Sequence, residues 1–327
     1  MEQKPIGGYF ELEKYGSGGN FPQKDGIFLN TGRNALEYIL ISLKKVTKVF
    51  IPFYTCEVVL EPFNKLGIEY NFYHIDKNLE IADKVTLQSD EYLLYTNYFG
   101  IKDAYIRQLA RDYKDRLIVD CAQALYYEHL EGEKTFYSPR KFVGIPDGAV
   151  AYIKNGENSS LYGLDESEDR MSHLHLRLEK GPQAGYLEFR KNAAKLKNQP
   201  ILNMSLKTRD MIDRIDFNMI KESRKKNFIR LHEKLKDSNL LGNMLNKNLE
   251  SFACPMVYPY WTNDIDLKSH LIKEQIFVAT YWPNVLDWTT PDMIEYELAN
   301  NCLAIPCDQR YAEEDMNRII KLITETL

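Results

Sequence analysis

The sequence predicts an α/β fold: a mostly parallel central sheet with helices on both faces, followed by a small C-terminal α+β domain. Three observations predict it. Short apolar runs alternate with helix-length stretches through the first two thirds of the chain, as strands joined by crossover helices do. Polar or glycine-bearing segments close several of these runs, at the carboxyl ends where such sheets bind ligands. From Ala253 onward the pattern changes to short strands mixed with helices. The expected division is 1–240 for a large domain with an N-terminal leader and 241–327 for the small one, in keeping with a chain of 327 residues.

Taken in order, residues 26–30 (Gly-Ile-Phe-Leu-Asn) read as a strand and 33–45 as a helix. Residues 48–52 are a strand, 56–66 a helix and 70–75 a strand. Residues 92–99 form the next strand, 104–113 a helix, 117–121 a strand and 149–153 another. The stretch 156–204 is polar and irregular, with helical potential over 183–196. Residues 205–240 read as one or two long helices rich in Lys and Arg. The terminal part offers strands at 255–260, 276–281 and 302–306, with helices at 265–273 and 313–326. Met316, Ile319, Ile320 and Ile323 form one stripe of the last helix, a docking face. His173 and His175, two apart, would share one face of a strand.

Composition narrows the function. The net charge is −5, without a block of like charges, which argues against nucleic acid and anionic membrane as partners. No run of about 18 apolar residues exists, and residues 1–15 are mixed and charged, unlike a signal peptide; a cytoplasmic protein is expected. Cys56, Cys121, Cys254, Cys302 and Cys307 are odd in number and fit no zinc spacing. They read as reduced thiols, and the six scattered histidines suggest no metal site.

Asp120 closes the apolar run Leu117-Ile118-Val119 and is followed by Cys121-Ala122-Gln123-Ala124. A carboxylate at a buried strand end needs a partner. It either caps the next element or holds a pyridine nitrogen protonated, which makes that ring an electron sink. Ala122 is small enough for a flat ring to lie over it, and Gln123 could reach a phenolate oxygen of the same ring. Lys141, in Ser138-Pro139-Arg140-Lys141, is either a solvated loop lysine or a Schiff-base lysine, which burial or cationic neighbours would help to deprotonate. Ser138 could donate to a phosphate oxygen. Thr31-Gly32-Arg33-Asn34 sits between a strand and a helix, where free N–H groups and the dipole suit a phosphate. The plainer reading is Thr31 as an N-cap. Asn97 lies at another strand end. Arg310, in a strand-to-helix loop, either grips a substrate carboxylate or pairs with Asp308 or Asp315. Gly7 to Glu11 and Gly16 to Asn20 make an aromatic, glycine-rich leader for an active-site mouth or a dimer surface. Tyr258, Tyr260, Trp261, Tyr281 and Trp282 read as core rather than as a sugar platform.

Taken together, these segments resemble the DegT/DnrJ/StrS family of sugar aminotransferases that use pyridoxal phosphate (PLP). Thr31-Gly32-Arg33-Asn34-Ala35-Leu36 is similar to its phosphate turn, and Ile51-Pro52-Phe53-Tyr54-Thr55-Cys56 to its Val-Pro-x-x-Thr-Phe segment. Asp120-Cys121-Ala122-Gln123-Ala124 is similar to its Asp-x-Ala-Gln-Ala strand end. Lys141 followed by Asp147-Gly148-Ala149 is similar to its lysine and the strand start beyond it. The likeness runs over about 26–155 and more faintly over the terminal domain.

The resemblance implies a fold type I PLP-transferase with Lys141 and Asp120 catalytic. It implies cofactor contacts at Thr31, Gly32, Arg33, Asn34, Tyr54, Cys56, Asn97, Asp120, Ala122, Gln123, Ser138 and Lys141. Cys56 stands where the family has an aromatic residue on the ring, so stacking would pass to Tyr54 or Phe53. The family's serine position, five before the lysine, is Phe136, with Ser138 offset. Asn203-Met204 lies near the place of a segment that reaches the partner subunit. The implied function is amino transfer from an amino acid, glutamate by family habit, to a keto acceptor such as a keto-sugar nucleotide for surface polysaccharide synthesis, in a homodimer with a shared active site. The alternatives are another PLP reaction (dehydration, racemisation or condensation) and a non-catalytic relative that keeps the fold for regulation or assembly.

Overall fold

Seven strands form the central sheet of the computed structural model, which describes residues 4–16 and 18–325. Residues 1–3, 17, 326 and 327 lie outside the described residues; the ends of the two expected domains, Ser17 of the leader and Thr326 of the last helix fall there. In chain order the strands are β1 (Ile6–Gly7), β2 (Ile27–Leu29), β3 (Lys48–Pro52), β4 (Glu69–Tyr73), β5 (Glu91–Thr96), β6 (Leu117–Cys121), β7 (Lys134–Tyr137), β8 (Ala149–Tyr152), β9 (Tyr258–Trp261), β10 (Ile276–Phe277) and β11 (Cys302–Ile305). The central sheet has the order β2-β8-β7-β6-β5-β3-β4. Only β8 runs against its neighbours; the other pairings are parallel. β6 sits in the middle with all five residues buried, which is why Leu117-Ile118-Val119 reads as an apolar run up to Asp120.

The helices are α1 (Gly32–Ser42), α2 (Leu60–Leu66), α3 (Asp103–Tyr113), α4 (Ser172–Lys180), α5 (Pro182–Lys195), α6 (Leu206–Arg214), α7 (Phe217–Leu235), α8 (Gly242–Asn248), α9 (Leu267–Lys273), α10 (Pro283–Trp288), α11 (Ile294–Asn301) and α12 (Glu313–Thr324). Thr31 caps α1, its Oγ1 accepting from Asn34 N at 3.2 Å. α1 then buries Ala35, Leu36, Ile39 and Leu40 against the sheet. The expected stripe of α12 holds: Met316, Ile319 and Ile323 are buried, and the helix docks on α7.

Several elements differ from expectation, among them helices α4, α8, α10 and α11 and a β10 of two residues where 276–281 was expected. β7 was hidden because it is only four residues long and begins with a lysine, whose ammonium reaches the Asp115 carbonyl. His173 and His175 lie on helix α4, not on a strand, so they diverge: His173 is buried and His175 exposed. The expected helix over 56–66 begins as a single 3-10 turn, Glu57–Val59, before α2.

The leader is tied to the far end of the chain. β1 pairs in parallel with β10, Ile6 opposite Ile276 and Gly7 opposite Phe277. Beyond it, Glu11 takes Arg177 Nε of α4 at 2.7 Å and Arg310 Nη1 at 3.1 Å. Glu13 N donates to the Gly144 carbonyl at 3.2 Å, so the leader runs flat over the loop that follows Lys141. The approach is so close that a Cβ at Gly144 would overlap the Glu11 carbonyl. Gly144→Ala is therefore expected to destabilise the fold by about 1–3 kcal/mol, read as a lower urea midpoint with an unchanged slope, and to expose the leader to limited proteolysis first.

Candidate active site

The register of the sheet brings the site together. Thr96 pairs with Asp120, and Asp120 with Phe136, so the carboxyl ends of β5, β6 and β7 share one rim. β2 ends at the same place, with Gly148 N donating to the Asn30 carbonyl at 2.7 Å. After β7 the chain makes one 3-10 turn, Pro139–Lys141, entered from Ser138. That turn returns Lys141 toward Asp120.

Asp120 is buried, and its Oδ1 accepts from Ala122 N at 2.8 Å. Burial pushes its carboxyl above the ordinary carboxylate range, while the charge of Lys141 pulls it back. Cys56 stands in the same cluster. Burial raises its thiol, Lys141 opposes that, and Asp120 and Arg33 also act on it. Asp120, Lys141 and Cys56 are thus electrostatic neighbours at one end of the sheet.

The remaining expected residues divide into two sets. Ala122 is buried beside Asp120. Gln123 is fully buried; its Oε1 accepts from Phe99 N at 2.8 Å, and its Nε2 has no partner. Ser138 faces the α1 turn, for a Cβ built on Gly32 would lie 3.8 Å from Ser138 Cβ, and it makes no capping bond to its own turn. Gly32 and Arg33 open α1, whose first N–H groups have no intrahelical acceptor.

Other side chains are committed elsewhere. Thr31 Oγ1 is spent on Asn34. Arg33 Nη1 binds Glu61 at 2.9 Å, and the Asn34 amide serves Glu37 and the Gln199 carbonyl. The Asn97 amide binds Asp103 Oδ1 at 2.7 Å and Lys102 N at 3.0 Å, so it braces the start of α3 instead of facing a ligand. Tyr54 is sealed between Tyr98 and Trp282 at ring distances of 5.5 and 5.1 Å. Phe53 stacks on Phe72 at 4.6 Å. Asn203 holds the carbonyls of Ser159 and Tyr162 in its own chain. Arg310 is gripped by Asp308 through two bonds, of 2.7 and 3.0 Å, and by Glu11. The pairing alternative for Arg310 is the observed one, and its charge is already matched.

A cavity of about 840 Å³ opens from Ser138 and Lys141 toward the leader and the terminal part of the chain. Gly7 to Phe10 form one wall, so the leader lines the mouth. Arg177 and His173 of α4 form another. Arg177 also packs on the Tyr9 ring, 4.9 Å away, and its Nη1 is buried without a partner. His173 Nδ1 accepts from the Asn192 amide at 3.0 Å, and burial pushes the imidazole down to about 4, which keeps it neutral. Tyr281, which feels the Cys56 thiol, closes the cavity from the terminal side. Sequence reasoning missed Arg177 and read Tyr281 as core. α4 carried no helix signal strong enough to place the first, and only tertiary packing brings the second to Lys141.

No protein-family model matches the chain, and no curated protein matches it. Solved structures do. NtdA from Bacillus subtilis with bound cofactor PMP aligns at a TM-score of 0.60 and 15% identity, over 91% of this chain and 72% of that one. Helicobacter pylori PseC, an aminotransferase involved in the biosynthesis of pseudoaminic acid, aligns at 0.60 and 12%, over 91% and 85%. S. venezuelae DesV in complex with a ketimine intermediate aligns at 0.57 and 15%, over 92% and 84%. The chain has the fold of these proteins, fold type I, as the resemblance implied.

Proposed function

We propose that the protein is a PLP-dependent aminotransferase. The observation that carries the reading is the meeting of Asp120 and Lys141 on one rim of the sheet, with Gln123, three residues beyond Asp120, burying an amide nitrogen, Nε2, that no described residue satisfies. Such an orphan donor is costly unless a ligand pairs with it. The likeness in fold to the PMP-bound NtdA and to the aminotransferase PseC supports the same reading.

PLP, when bound, supplies an electron sink that eases removal of the proton from an amino acid's α-carbon. The chain's own residues do the rest. Asp120 sets a negative charge where a pyridine nitrogen must stay protonated. Gln123 Nε2 would donate to a ring oxygen, and Ala122 would leave room for a flat ring. Ser138 Oγ and the free N–H groups of Gly32 and Arg33 would receive the phosphate. Lys141 Nζ would hold the cofactor and would move the proton as base and then acid. The amino donor of this reading is glutamate, and the acceptor is a keto-sugar nucleotide used in surface polysaccharide synthesis. The aromatic and cationic cavity is roomy enough for a substrate of that class.

The unit of function is a homodimer with a shared site, within which 1–240 binds the cofactor and 241–327 closes over it. Leu161, Leu164 and Leu206 are half or more exposed, and exposed apolar side chains favour a partner surface. Light scattering is expected to give twice the chain mass of 38.3 kDa; a monomer at micromolar concentration would count against the shared site. Five free thiols are in keeping with a cytoplasmic setting, and no helix among the described residues is long and apolar enough to cross a membrane.

The test of function is spectroscopic. Purified protein mixed with PLP is expected to gain visible absorbance, and borohydride is expected to fix the label on Lys141. Glutamate alone is expected to bleach the band, which separates amino transfer from the other PLP reactions. A protein that stays colourless and binds no PLP sinks the reading.

A further inference from the structure

Arg140 precedes Lys141, lines the same cavity, and is half-buried. No nitrogen of its guanidinium makes a hydrogen bond or ion pair among the described residues, and its Nε is shut off from solvent as well. The other arginines around the cavity and its rim are matched. Arg33 has Glu61, Arg170 has Asp165 at 2.6 Å, Arg177 has Glu11 and Arg310 has Asp308. Arg224, which is fully buried, donates to Gln309 and to the carbonyls of Met256 and Phe142.

The acid whose charge Arg140 feels most is Asp147, but its oxygens are taken by Ser205 N, Ser205 Oγ and Thr208 Oγ1. Arg33 and Arg170 add further positive charge around Arg140. A guanidinium cannot escape such a place by losing its proton at neutral pH. Burial and these neighbours push Arg140 down only to about 10. An unmatched cation with one nitrogen sealed from solvent is a costly feature for a fold to keep. Its planar fork also suits a two-oxygen anion.

We propose that Arg140 binds an oxyanion of the bound reactants, either the cofactor's phosphate or a substrate carboxylate. The phosphate is favoured by the Ser138–Gly32 approach and by the nearness of Arg33, which opens α1. The carboxylate is favoured by the cavity side of the same residue, where Arg140 and His173 sense each other. The inference rests on the PLP reading above.

The experiment compares wild type with R140M in two titrations, each read by visible absorbance. The first uses PLP against pyridoxal, which lacks the phosphate. The second uses glutamate on the PLP-loaded protein. A phosphate role is expected to weaken PLP by about 10- to 100-fold and to leave pyridoxal untouched. A carboxylate role is expected to spare PLP and to raise the glutamate concentration for half-bleaching by the same factor. If R140M does not fold, R140K serves, with an intermediate loss expected because the charge stays but the fork is gone. A PLP-binding wild type whose folded variant behaves identically in both titrations overturns the inference alone. A wild type that takes up no PLP overturns the cofactor reading and this one with it.

Discussion

Replacing Lys141 by alanine is expected to abolish the borohydride-fixed label and to lower amino transfer by about 10⁴-fold or more. The size of the effect follows from two duties falling on one nitrogen, covalent attachment and proton movement, neither of which a neighbour can assume. Arg140 keeps its proton at neutral pH and so cannot act as a base, and His173, held neutral by burial, belongs to the α4 wall. PLP should still bind without covalent attachment, because the phosphate and ring contacts do not use the lysine. Mass spectrometry after borohydride separates the two outcomes. A label that persists at another lysine would remove Lys141 from the centre of the mechanism.

Asp120→Asn is expected to cost about 10²- to 10³-fold in turnover while leaving the shape of the site intact, since an amide oxygen can still accept from Ala122 N. The same substitution is expected to act oppositely on the free protein. Burial raises the Asp120 carboxyl above 3.8, its ordinary value. A raised carboxyl binds its proton more tightly in the folded state, so its contribution to stability falls as pH climbs from the ordinary value through the raised one, and stays low above that. Asparagine carries no such charge. Without cofactor, D120N should therefore match or exceed wild type in urea midpoint at pH 7, and the difference should vanish near pH 3. A variant less stable than wild type at pH 7 would mean that Lys141 more than offsets the burial of Asp120.

The parts legible in the sequence were those carried by local chemistry. The alternation of strands and helices, the cap at Thr31, the buried run before Asp120 and the stripe of α12 all followed from periodicity and position. What escaped was set by distance. β7 hides behind its terminal lysine, because only its neighbours β6 and β8 reveal that it is central. Asn97 and Arg310 carry the right chemistry at the right ends of strands, yet Asp103 and Asp308 claim them first. Composition cannot say which of several polar groups will be satisfied. Tyr54 failed for the same reason in apolar form, since Tyr98 and Trp282 enclose it. Arg140 was in plain view next to Lys141, but its significance lies in having no partner, which only coordinates reveal.

The pairing of Ile6 with Ile276 has a consequence for biosynthesis. A ribosome adding roughly 5–20 residues per second needs roughly 15–50 s to deliver the second strand of that pair after the first. During that interval Gly7 to Phe10 have no β10 to settle against, and the reaction chamber lacks a side. A translating chain would thus lack a complete cavity until Ile276 emerges, and β1 would be among the last elements to lock.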